Sequence, residues 1–99
     1  MASVASTSPA VAEAFDAGRP WRLSPEVTLR EEPFGALAYH HGNRRLVFVK
    51  SAGLLGVLER LGEYATAGDA LTALVAAGER ARYERALAAL AAGGLIGVG

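Results

Sequence analysis

The sequence predicts an α+β domain, a three-stranded antiparallel sheet in the N-terminal half followed by three helices. Three observations predict it. Val27-Thr28-Leu29-Arg30 alternates apolar and polar residues, and two further strand-like runs follow at Ala36 to His41 and Arg44 to Val49. Gly42-Asn43 stands between those two runs as a two-residue loop with Gly first, the pattern of a primed hairpin turn. After Lys50 the apolar residues recur at helical instead of strand spacing.

Each element has a local reason. Order is expected to begin near Arg19-Pro20-Trp21. Glu32-Pro33-Phe34-Gly35 reads as a turn, since Pro lacks a ladder donor and Gly accepts unusual dihedrals. A two-residue loop at Gly42-Asn43 pairs His41 with Arg44, Tyr39 with Leu46 and Leu37 with Phe48. Leu37, Tyr39, Leu46 and Phe48 then share one face, taken as the core face. The same register makes Arg44, Leu46 and Phe48 bond inward, and leaves the backbone groups of Arg45, Val47 and Val49 pointing to the outer edge. Ser51 is positioned to cap a first helix with Leu54, Leu55, Leu58 and Leu61 as its stripe. Thr66 or Ala67 starts a second, with Leu71, Leu74 and Val75, stopped by Gly78. The third runs from Glu79 to Ala92 with Tyr83, Leu87 and Leu90, and Leu95-Ile96 is a candidate terminal strand. A sheet followed by this helical half resembles a winged helix-turn-helix.

Composition bounds the function. With 99 residues and 52% hydrophobic content, one domain with its own core fits, expected over residues 19–99. Residues 1–18 hold an Ala/Ser/Thr/Pro-rich segment expected to form a disordered tail without the features of a signal peptide. The absence of Cys suits a reducing cytoplasm and removes thiol nucleophiles and thiolate metal sites. Lys+Arg and Asp+Glu number 10 each, so net charge is zero and argues against non-specific nucleic-acid binding. No apolar run approaches the roughly 20 residues of a membrane span.

Candidate chemistry is sparse. His40 and His41 are adjacent and point to opposite faces of a strand, which reads as two exposed histidines beside a turn and not as a metal pair. Glu31-Glu32 reads as a solvated turn, because an acid/base pair needs convergent side chains. The glycines follow no phosphate-loop pattern. No catalytic residue and no metal ligand is assigned. Arg44, Arg45 and Lys50 on the hairpin, with Arg80, Arg82 and Arg85 on the third helix, form either an ordinary solvated face or a basic rim that attracts an acidic peptide. Ala86, Ala89 and Gly93 form a small-residue face, which serves either a groove or close helix packing.

Three strings carry a family resemblance. They are Trp21-Arg22-Leu23-Ser24-Pro25-x-Val27, Arg30-Glu31-Glu32-Pro33-Phe34-Gly35-Ala36-Leu37-x-Tyr39-His40, and Gly42-x-Arg44-x-Leu46-x-Phe48-x-Lys50. Together they resemble the small peptide chaperones of mycofactocin biosynthesis, themselves similar to the peptide-binding chaperones of pyrroloquinoline quinone biosynthesis. Both are RiPP recognition elements, which bind precursors of ribosomally made, modified peptides. The match is dense from about Arg19 to Lys50 and thins afterwards. The resemblance implies a non-catalytic protein that binds the leader of the mycofactocin precursor peptide and presents it to a radical SAM maturase acting on a C-terminal Val-Tyr. The iron–sulfur clusters and S-adenosylmethionine belong to that enzyme, so no cofactor is expected in this chain. It also implies that the leader adds a strand to the run ending at Val49 and packs on the third helix. The peptide-binding residues are then Arg44, Arg45, Leu46, Val47, Phe48, Val49 and Lys50 on the strand, and Arg82, Tyr83, Arg85, Ala86 and Ala89 on the helix.

Two other readings compete. A winged-helix DNA-binding protein would place Arg80, Arg82 and Arg85 on a recognition helix, against the neutral charge and the N-terminal sheet. A homodimer would pair two copies of the open edge.

Overall fold

The computed structural model describes residues 14–33 and 35–99. The strands are β1 (Trp21–Leu23), β2 (Val27–Glu32), β3 (Gly35–His40), β4 (Leu46–Val49) and β5 (Ile96–Val98). The helices are α1 (Ala52–Arg60), α2 (Ala67–Leu74) and α3 (Arg80–Ala92), with 3-10 turns at Leu61–Glu63 and Ala77–Glu79 between them. The mixed α+β class is as expected. The described residues form two antiparallel sheets: β2-β3-β4 in sequence order, and a two-stranded β1-β5 pair. The strand expected at Leu95-Ile96 thus exists one residue later. It zips onto the start of the domain, with Trp21 opposite Val98 and Leu23 opposite Ile96. It forms no hairpin wing.

Order reaches back beyond Arg19. Phe15 lies 5.2 Å from Trp21, ring centre to ring centre, and the Trp21 indole N–H donates to the Asp16 carbonyl at 2.8 Å. The Ala17 and Arg19 carbonyls accept from the amides of Gly68 and Ala67 at 2.8 and 3.0 Å. These amides are first-turn donors of α2 that have no partner within the helix. The expected disordered tail over residues 1–18 otherwise falls on residues 1–13, outside the described part.

The helix ends follow the sequence. Ser51 and Thr66 accept from the amides of Leu54 and Asp69 and cap α1 and α2. The second helix ends at Leu74, so Gly78 lies in the following 3-10 turn and does not stop the helix. Gly94 (φ 78°) closes α3 in the left-handed conformation. Trp21, Val57, Leu58, Leu61, Leu71, Leu87, Leu95 and Ile96 make the buried centre, between the sheets and the helices.

The sheet register matches expectation at Tyr39–Leu46 and Leu37–Phe48 but not at His41–Arg44, where the Arg44 amide bonds the His40 carbonyl instead, and the faces are reversed. Tyr39 pairs with Leu46, Leu37 with Phe48, Ala38 with Val47 and Ala36 with Val49. Yet the buried side chains are Ala36, Ala38 and Val49, with Val47 packed on the same core. Leu46 and Phe48 are 60% and 40% exposed, on the opposite face with Leu37 and Tyr39. Small Ala and Val side chains let the helices approach the sheet closely, and the bulky row is turned outward.

Candidate functional site

The β3-β4 hairpin differs from a two-residue turn, and the difference decides which backbone groups face the edge. The His40 amide donates to the Arg45 carbonyl at 2.8 Å, and the Arg44 amide donates to the His40 carbonyl at 2.9 Å. The loop is therefore four residues, His41 to Arg44. Arg44, and not Gly42, takes the left-handed backbone, at φ 64°. Side chains hold it open. His40 Nδ1 accepts from the amides of Gly42 and Asn43, both at 3.0 Å, and Asn43 Oδ1 accepts from the Arg45 amide at 2.9 Å.

His40 and Arg45 are thus the first hydrogen-bonded pair, and bonded pairs alternate along an antiparallel ladder. Val47 and Val49 bond inward to Ala38 and Ala36. The other side of β3 agrees, since the His41 amide donates to the Glu26 carbonyl of the β2 side. This reverses the expected parity. Leu46 and Phe48 direct their N–H and C=O groups away from β3, whereas Arg45, Val47 and Val49 were expected to. With strand order β2-β3-β4, that direction is the sheet edge.

The hairpin tip is fastened to the end of α3. Asn43 Nδ2 donates to the Gly93 carbonyl at 3.0 Å. Arg45 Cδ and Nε stand 3.1 and 3.5 Å from the point that a Cβ on Gly93 would occupy, so glycine makes room for this arginine. A cation there also suits the negative end of the α3 dipole.

At the other end of β4 lies a cavity of about 220 Å³ lined by Ser51, Leu54, Arg82, Tyr83 and Ala86. Tyr83 reaches it across α1: its hydroxyl occupies the place where a Cβ on Gly53 would be. A water takes about 30 Å³ of liquid volume, so the cavity has room for one large side chain and not for a typical small-molecule ligand.

The expected residues separate into groups. Arg82, Tyr83 and Ala86 meet at this cavity, and Ala89 is exposed one turn further along α3. Both alanines stay outside the buried core, so this face is not given to close helix packing. Arg45 sits over the far end of α3. Arg85 is exposed, and Arg82 pairs with Glu79. Lys50 is turned to a separate depression beside Glu31, Glu32 and Pro33. Arg80 bonds Glu84, Thr72 and the Gly68 carbonyl, which holds α3 to α2. Sequence reasoning missed Asn43, Gly53 and Leu54 as site residues. Gly53 carried a signal: a glycine in the first turn of a helix is unfavourable unless something approaches it closely. Among the described residues no cluster of three or more His, Asp or Glu could hold a metal, and no helix is long and apolar enough to cross a membrane.

A family model described as the peptide chaperone MftB family matches residues 20–97. The chain belongs to the MftB peptide chaperone family. It is 45% identical over 84 residues to the peptide chaperone MftB of Mycobacterium ulcerans (strain Agy99), across 81% of this chain and 74% of that protein. Its identity to MftB of Mycolicibacterium smegmatis is 43% over 77 residues, across 77% and 76% of the two chains. With MftB of Mycobacterium tuberculosis (strain H37Rv) it is 52% over 50 residues, which span 50% of this chain and 46% of the relative, about half its length. A solved structure of lasso peptide synthetase B1 complexed with the leader peptide superposes with a TM-score of 0.49 at 22% identity, over 75% of this chain and 88% of that one. The MftB family match covers the β4 edge, the hairpin tip and the whole of α3.

Proposed function

We propose that this chain is a non-catalytic, cytoplasmic peptide chaperone that binds the leader of the mycofactocin precursor peptide by strand addition to β4 and delivers it to a radical SAM maturase. The outer edge of β4, with which no other described strand pairs, carries the reading. It is bounded by Arg45 and Gly93 at one end and by the Tyr83 cavity at the other. An added strand would bond the outward groups of Leu46. Its inward side chains would lie along Ala86 and Ala89, and one of them would enter the cavity. Backbone bonds of about 0.5–1.5 kcal/mol each would supply affinity, and the cavity would supply selectivity. Arg45, Arg82 and Arg85 would raise the association rate with an acidic leader and fix its direction. The cofactors and the bond-making chemistry are those of the maturase.

An amide-shift titration of the labelled protein with the precursor leader tests this. Shifts are expected at residues 44–50 and 82–89, and none in the β1-β5 pair. Shifts confined to β1-β5 or to α2 would sink the proposal.

A further inference from the structure

Resting on that peptide-binding reading, we infer that the cavity between Ser51 and Tyr83 is a carboxylate subsite. It takes an acidic side chain of the bound peptide in preference to an apolar one.

The polar groups around the cavity have hydrogens left to donate. Ser51 Oγ accepts from the Leu54 amide at 3.1 Å, which leaves the hydroxyl hydrogen for another acceptor. The Tyr83 hydroxyl has no hydrogen-bond partner among the described residues. It fills the place of a Cβ on Gly53, and Ser51 Oγ stands 3.5 Å from that same point, so the two hydroxyls converge. Arg82 is the charged residue of the lining, and no carboxylate lines the cavity. Its bond to Glu79 engages Nη2 and leaves Nε and Nη1 without partners among the described residues. Leu54 and Ala86 complete the wall with apolar surface.

This donor set selects what enters. A carboxylate only accepts, and its two oxygens can serve both hydroxyls and the guanidinium together. Its methylene stem covers Leu54 and Ala86. A side-chain amide brings donors of its own and no charge. A lysine meets Arg82 as a like charge. An apolar side chain shuts the Tyr83 hydroxyl from water with nothing to bond, which is unfavourable. The fold itself makes no use of that hydroxyl, since no described residue bonds it.

The test is calorimetry with the full chain and the precursor leader. Each acidic leader residue is replaced in turn by its amide and by Leu. Tyr83→Phe removes one oxygen and should weaken leader binding about tenfold at unchanged Tm. One acidic leader residue should lose about tenfold when made an amide, and bind weaker still as Leu. In the Tyr83→Phe/Arg82→Gln double variant the same amide change should cost less than twofold. If Tyr83→Phe lowers Tm, the coupling of that residue to Arg82→Gln decides, because the Arg82 side chain is 69% exposed and outside the core. Parent-like affinity of both single variants, or no acidic leader residue coupled to either position, overturns this inference and leaves the chaperone reading standing. Tighter binding with Leu at the coupled position overturns it too. If the parent chain does not bind the leader, the chaperone reading falls and this inference falls with it.

Discussion

Leu46→Pro and Val47→Pro should have opposite consequences, although the residues are neighbours on one strand. Leu46 sends its N–H away from β3, by the alternation that the His40–Arg45 bond sets. Proline at the first residue of an edge strand with an outward N–H costs the sheet no ladder bond. The Leu46 side chain is 60% exposed, so little burial is lost. Stability should stay within about 0.5 kcal/mol of the parent. Binding should suffer, because one backbone bond worth about 0.5–1.5 kcal/mol disappears, a two- to tenfold loss in affinity. The pyrrolidine ring also stands in the path of the incoming strand and deepens that loss. Val47 bonds inward to Ala38, which is fully buried. Val47→Pro leaves the Ala38 carbonyl without its donor, at about 1–3 kcal/mol. For a domain of this size each kcal/mol lowers Tm by roughly 4–8 °C. Fluorescence anisotropy with labelled precursor leader, beside thermal unfolding followed by circular dichroism, reads both effects. Normal binding by Leu46→Pro, together with a Val47→Pro that keeps its Tm and loses binding, would refute the parity argued from the hairpin.

Further expectations follow from single contacts. Gly53→Ala would force the Tyr83 hydroxyl from its place against α1 and reshape the cavity. Leader affinity should drop several-fold while far-ultraviolet dichroism stays unchanged, and unchanged affinity in calorimetry would remove the cavity from the binding site. Asn43→Ala frees the hairpin tip from the Gly93 carbonyl and strips the Arg45 amide of its acceptor, for a loss of about 1–2 kcal/mol in urea unfolding. Gly35→Ala meets two obstacles, a φ of 149° and the Val49 carbonyl, which occupies the space a Cβ needs. It should cost about 1–3 kcal/mol, and a Tm equal to the parent's would contradict the geometry.

Much of the fold was legible because it rests on local chemistry. Ser51 and Thr66 are caps wherever a helix follows them, and the Gly93-Gly94 pair follows the last residue of α3. The pairing of Leu37 with Phe48 and Tyr39 with Leu46 was readable from the symmetric arrangement of apolar residues about the turn. The candidate site was legible as a place, the last strand of the hairpin and the third helix. The roles of its residues were less so. Arg80 looked like one more exposed cation, and only the packing of α2 against α3 gives it Thr72 and Gly68 as partners.

The sequence by itself determined the order of elements, the β3-β4 register and the helix caps, since each depends on residues near in the chain. Tertiary structure decided the face and the parity of β4. Both faces of the hairpin are apolar, so alternation cannot choose between them. The helices chose the Ala36–Ala38–Val47–Val49 face because small side chains permit close approach, and so left Leu46 and Phe48 outside. Parity turned on a loop of four residues instead of two, whose amides are met by the His40 ring and the Asn43 side chain. That loop exchanges the inward and outward bonding residues along the whole edge.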